Sequence, residues 1–190
     1  MKIVRFFYKI ILSAWGFKID FQVPKEAEKC VMVFAPHTSM WDFVVGKLVL
    51  TAFGLNPKFM IRKESFWFPL GLFLKYLGGI PVDRKHPVGL PAAMVNEIKK
   101  RERITLIIAP EGTRKYTTHW KKGFYLIAQS AQVPICICYI DWAEKRGGIF
   151  PDVIIPQSDN YENDLPFIQN HYRGMKGKNV GQSCLELEQK

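Results

Sequence analysis

Between Glu26 and Ile155, short apolar runs alternate with longer stretches of helical character, and few folds accommodate that order. Residues 30–35, 58–61, 80–82, 104–108, 135–140 and 153–155 have the length and composition of buried strands. Residues 40–55, 65–77, 89–100 and 123–131 carry apolar residues at helical spacing and few breakers. The alternation predicts an α/β domain with a largely parallel central sheet flanked by helices. A chain of 190 residues supports one sizeable core, and it shows no internal repeat, linker or low-complexity segment. From Pro156 to Lys190 the composition turns polar, which predicts one helix over residues 165–172 followed by a loose tail.

The N-terminus reads differently. Lys2, Arg5, Lys9, Ser13 and Gly16 recur at spacings of three and four, so they form one narrow stripe on a helix otherwise built of Ile, Val, Leu, Phe, Tyr, Trp and Ala. A basic stripe on a broad apolar face describes a helix lying in a membrane interface. Residues 1–18 are therefore expected to be an interfacial helix and residues 19–190 a single domain. Lys9 interrupts the apolar run and no small-x-small cleavage site follows, which argues against a secretory leader. No uncharged apolar run approaches the ~18 residues of a spanning helix. Peripheral attachment at the cytoplasmic face of an anionic membrane is the expectation. The net charge of +10 also asks for an acidic partner. Nucleic acid is not expected, because the basic residues show no recognition motif and no interleaving with aromatics. The four cysteines have no zinc-ligand spacing, so no metal site is expected and the compartment reads as reducing; Cys136 and Cys138 fall on one face of a strand and read as buried thiols. Residues 65–74, rich in Phe and Trp, fit either core or a greasy surface for an acyl chain.

The chemistry gathers where strands end. After the apolar run 31–35 come Pro36, His37, Thr38, Ser39, Met40, Trp41 and Asp42. On one regular helix, His37 and Asp42 would point roughly 140° apart, so they meet only if His37 precedes the helix and Asp42 lies in its first turn. That placement gives an imidazole held by a carboxylate, as a general base requires. Ser39 reads as a helix cap. Arg84 follows the run 80–82, and Glu111, Gly112, Thr113 and Arg114 follow the run 104–108. Parallel strands deliver these ends to one rim, setting a base beside a phosphate clamp.

These blocks resemble those of the glycerolipid acyltransferases of the 1-acylglycerol-3-phosphate acyltransferase type. His37-x4-Asp42 resembles the first block, Gly79-Ile80-Pro81-Val82-Asp83-Arg84 the second, and Pro110-Glu111-Gly112-Thr113-Arg114 the third. Trp120-Lys121-Lys122-Gly123 and Val133-Pro134-Ile135 resemble the last two. Departures include Pro36 where Asn is frequent and Lys115 where Ser is frequent. The resemblance implies a catalytic base at His37, its partner at Asp42, and an acceptor phosphate site formed by Arg84, Glu111, Gly112, Thr113 and Arg114. It implies no cofactor beyond an acyl-CoA or acyl carrier protein co-substrate, and a lysophospholipid acceptor such as lysophosphatidic acid. An amino-acid-headed lyso-lipid is the alternative acceptor. No Ser or Cys stands in a nucleophile elbow, so direct transfer is expected, without an acyl-enzyme. His86, His119 and His171 are expected in loops or on surfaces, without catalytic duty.

Overall fold

Continuous apolar runs have no solvent face, so each needs a covering layer on both sides. The computed structural model describes residues 2–20, 22–83, 89–157, 160–183 and 185. In chain order its elements are α1 (Lys2–Ala14), β1 (Lys18–Ile19), β2 (Lys29–Ala35), α2 (Trp41–Ala52), β3 (Pro57–Arg62), α3 (Leu70–Tyr76) and β4 (Gly79–Val82). Then follow α4 (Leu90–Lys99), β5 (Ile104–Ile108), α5 (Gly123–Ala131), β6 (Ile135–Asp141), β7 (Arg146–Ile154) and α6 (Tyr161–Asn170). The strands form one sheet in the order β1-β7-β6-β2-β5-β3-β4. Every pairing is parallel except β6 with β7.

Chain direction fixes the layers. The connections β2–α2–β3 and β3–α3–β4 run toward one edge, while β4–α4–β5 and β5–α5–β6 run back. Right-handed crossovers therefore place α2 and α3 on one face and α4 and α5 on the other. Packing agrees for the elements that meet the core. Val31, Val33, Ile135 and Ile137 share a buried cluster with Met94, Ile98, Phe124 and Ile168. Alternate residues Cys30, Met32, Phe34, Cys136 and Cys138 face Leu12, Val45 and Val49. Cys136 and Cys138 are free, buried thiols, as the sequence predicts, and Cys30 is buried beside them. The neighbouring strands β2 and β5 send their chains in opposite directions, which opens a crevice at their C-terminal ends.

Four expectations need correction. The predicted strand at 153–155 is the end of the longer β7, whose Gly147, Gly148 and Pro151 disguise it. The predicted helix at 65–77 starts only at Leu70, with Pro69 before it and a 3-10 turn over Lys63–Ser65. The helix placed at 165–172 begins earlier, at Tyr161, and tolerates Pro166 inside. Among the described residues, the tail is held in place: Asn179 bonds Thr38 and Ser183 bonds Glu111. Tyr172 is fully buried, and its hydroxyl lies 2.9 Å from Val33 O and 3.0 Å from Cys138 O, bridging the two central strands. Its phenol is pushed well above the ordinary range by that burial, first of all.

Tyr172→Phe removes a buried donor and is expected to cost about 1 kcal/mol, whereas Tyr172→Ala opens a cavity and costs about 3–5 kcal/mol. Chemical denaturation midpoints check both. Equal losses for the two variants would mean that ring packing contributes nothing.

Candidate active site

Proline has no backbone N–H, so the turn after β2 begins presenting donors at His37. Three successive amides then point at carboxylates. His37 N–H donates to Glu111 Oε2 at 2.8 Å, Thr38 N–H to Asp42 Oδ2 at 2.9 Å, and Ser39 N–H to Asp42 Oδ2 at 2.8 Å. Ser39 Oγ accepts the N–H of Trp41 at 3.2 Å, which satisfies one orphan donor of the first turn of α2. Asp42 lies in that turn, where the helix dipole favours an anion.

The Asp42 side chain has no solvent access, and its carboxylate is saturated. Oδ2 also stands 3.2 Å from His37 Nδ1, and Oδ1 accepts the indole N–H of Trp142 at 2.7 Å. An ionised carboxylate only accepts, so the neutral imidazole carries its proton on Nδ1 and presents a lone pair on Nε2. The imidazole keeps about a quarter of its surface exposed, with a relative accessibility of 26 %. Phe34 sets its ring edge-to-face against it at 6.0 Å between centroids. A base held on one side and open on the other is ready to take a proton.

Glu111 enters from the end of β5 and is almost wholly buried. Its two oxygens take the His37 amide and the hydroxyl of Ser183, the latter at 3.1 Å. Burial pushes its carboxyl above the usual range, and these two bonds pull it part of the way back. Glu111 faces inward, so it shapes the rim by holding His37. Gly112 adopts φ +64°, a backbone conformation that favours glycine, while the flexible end of the Lys121 side chain lies 2.8 Å from where a Cβ would stand and can move aside. Thr113 Oγ1 accepts the N–H of Lys115 at 3.1 Å, and Arg114 is exposed on the same loop. Arg84 and His86 lie outside the described residues. His171 bonds Asp152 and Phe167 O, away from the dyad. Among the described residues no group of three or more His, Cys, Asp or Glu converges as metal ligands would.

Sequence reasoning missed Trp142 and Ser183. Trp142 lies 100 residues from Asp42, and Ser183 lies 72 from Glu111, so no local spacing announces either. The only hint was a tryptophan directly after a strand end.

The chain matches the acyltransferase family over residues 18–141, which include the whole His37–Asp42 turn and the Glu111 loop. It belongs to that family. Among curated proteins it is 34% identical over 119 residues to a 1-acyl-sn-glycerol-3-phosphate acyltransferase of Streptococcus pneumoniae, covering 60% of this chain and 42% of that one. It is 32% identical over 146 residues to human 1-acyl-sn-glycerol-3-phosphate acyltransferase beta, covering 71% and 50%. A third relative, 1-acyl-sn-glycerol-3-phosphate acyltransferase of Saccharomyces cerevisiae, is 29% identical over 143 residues, covering 69% and 45%. The chain thus spans about half the length of these relatives. It shares its fold with the crystal structure of the 1-acyl-sn-glycerophosphate acyltransferase of Thermotoga maritima, at a TM-score of 0.64 and 18% identity over 90% of this chain and 75% of that one.

The raised Glu111 carboxyl has a consequence for stability. A group that binds its proton more tightly when folded stabilises the fold at low pH, and that contribution is lost as pH rises through the folded-state pKa. Glu111→Gln keeps an oxygen for His37 and an amide for Ser183 without a buried charge. The variant is expected to gain in melting temperature over the wild type at neutral pH, with the gain shrinking as pH falls toward about 4.3, the unfolded glutamate value. A gain that grows on acidification would contradict this.

Proposed function

We propose that this acyltransferase moves a fatty acyl group from an acyl thioester to the hydroxyl of a lysophospholipid such as lysophosphatidic acid. The supporting observation is a partly exposed imidazole whose Nδ1 is fixed by the saturated carboxylate of Asp42, which leaves Nε2 as its basic nitrogen. His37 Nε2 takes the proton of the acceptor hydroxyl as that oxygen attacks the thioester carbonyl. The C–S bond then breaks, and the departing thiolate takes the proton back from the imidazolium. Asp42 holds the tautomer and offsets the charge that appears on the ring. The donor is acyl-CoA or acyl carrier protein, whose acidic groups suit a chain of net charge +10. Arg84 and Arg114 supply forked cations to the acceptor phosphate, with Gly112 and Thr113 shaping the loop between base and clamp.

The acceptor is a bilayer lipid, and the α1 face fits that. Phe6, Phe7, Ile10 and Ile11 are exposed, while Leu12 is buried against the domain. No helix among the described residues is long and apolar enough to cross a membrane. We read α1 as docking on an anionic leaflet from its cytoplasmic side, with Trp41 of α2, Leu72 of α3 and Trp67 and Phe68 just before α3 adding to that face, all exposed.

Release of free thiol from an acyl thioester, with and without lysophosphatidic acid, tests the reaction. Acceptor-dependent release is expected, and His37→Ala should lower it by roughly 10² to 10⁴ at an unchanged fold. Release without acceptor would indicate a hydrolase, and release supported only by phosphate-free lyso-lipids would indicate the amino-acid-headed acceptor.

Vesicle sedimentation tests docking. Replacing Phe6, Phe7 and Ile10 together by Gln spares the buried Leu12 and should free the protein from anionic vesicles. Full sedimentation of that folded variant would place the docking surface elsewhere.

A further inference from the structure

Residues 176–183 and Leu185 lie beyond the family-matched segment, yet they contact the groups that hold each half of the dyad, Glu111 and Thr38 beside His37 and Trp142 beside Asp42. On the Asp42 side, Trp142 donates its backbone N–H to Lys176 O at 3.0 Å and its indole N–H to Asp42. The Lys178 ammonium stands 4.6 Å from the Trp142 ring centroid and 5.0 Å from that of Trp41, a cation over two aromatic faces. At the turn itself, Asn179 N–H donates to Thr38 Oγ1 at 3.1 Å, and the Asn179 amide donates to Thr38 O at 2.8 Å. Gly177 is buried against Thr38, where a Cβ would fall 2.5 Å from the threonine side chain. On the Glu111 side, Ser183 is 1 % exposed and donates to Glu111, which receives the His37 amide on its other oxygen. Leu185, buried in the core, fixes the far end.

We propose that this segment is a positioning strap for the His37–Asp42 pair, with Ser183 acting on His37 through Glu111 and Trp142 carrying the strap's position to Asp42. The inference deepens the acyltransferase reading and rests on it for its effect on rate. Its physical basis is that a buried hydroxyl pointed at a buried carboxylate fixes where that carboxylate can accept its second bond. The groups facing Glu111 are His37 and Asp42 from the β2–α2 turn, Tyr172 from the end of α6 and Ser183 from the strap. Ser183 is the one of these that holds Glu111 without being held by the dyad. The strap is a surface segment with a polar sequence, so without such contacts its ordering entropy would leave it free.

Ser183→Ala and Asn179→Ala, made in the full chain, separate positioning from mere support. Asn179 is exposed, so its variant folds even where loss of the Ser183 hydroxyl proves damaging. In Ser183→Ala the backbone amide resonance of His37 should shift, and kcat should fall about tenfold, given that ~1 Å of misplacement costs up to about 10²-fold. The KM values for donor and acceptor should stay within about twofold, the pattern of an interaction felt only in the transition state. Ser183→Thr, which restores the hydroxyl, should recover most of the loss. Asn179→Ala should lower kcat by a smaller factor with KM again unchanged. Unchanged kcat in both variants overturns the proposal, as does a loss confined to KM, which would make the strap part of the binding pocket. Should the wild type release no thiol with any acceptor, the acyltransferase reading fails by itself. The His37 amide then still decides the strap: unmoved in Ser183→Ala, it overturns the contact.

Discussion

Everything at the rim depends on one buried carboxylate being fully satisfied. Removing an ionised carboxylate from water costs several kcal/mol unless its lone pairs are taken up. Asp42 meets that cost with two backbone amides, an indole and an imidazole, and sits where the helix dipole favours it. Each partner comes from a place that the fold must hold still. The amides require the turn between β2 and α2, and the indole requires the β6–β7 hairpin to bring Trp142 across. Loss of any one partner leaves a buried charge under-solvated, so the arrangement is cooperative. The precision of the imidazole is thus a by-product of solvating Asp42, and it costs little more than the fold already requires.

The two faces of the sheet carry different duties. The α4, α5 and α6 layer closes the larger core, with Phe124, Ile127 and Ile168 against β2 and β6. The opposite layer buries Leu12, Val45 and Val49 but leaves Phe6, Phe7, Trp41, Trp67, Phe68, Leu72 and Phe73 exposed. Trp15 and Trp41 touch edge to face at 5.3 Å, and Trp15 and Phe17 both touch Trp142. Aromatic contacts therefore run from the base of the apolar layer to the ring that holds Asp42. A substrate whose acyl chains stay in lipid and whose hydroxyl must reach Nε2 is suited to that geometry.

The strands of the central sheet were legible because burial on both faces writes an unbroken apolar run, as in Ile104–Ile108. The His37–Asp42 encounter was legible for a local reason too, since a five-residue separation permits contact only across a helix start. What sequence hid was whatever depends on non-local partners. Strand β1 is two residues long and exists only because Arg146 and Gly147 lie alongside it. The glycines and proline of β7 look like turn signals, yet an antiparallel strand beside the edge tolerates them. The tail looked loose because its residues are polar. Its polarity is used inward, in bonds from Asn179 to Thr38 and from Ser183 to Glu111.

The turn itself settles a further point about how charge is divided. Successive backbone amides at a strand-to-helix turn usually make an anion site for a ligand. Here the amides of His37, Thr38 and Ser39 are consumed by the protein's own carboxylates, Glu111 and Asp42. A substrate phosphate cannot use these three amides and would meet two buried carboxylates behind them. Positive charge for a head group must therefore come from side chains on the neighbouring loops, as the exposed Arg114 can provide. The turn is left to hold the imidazole of His37.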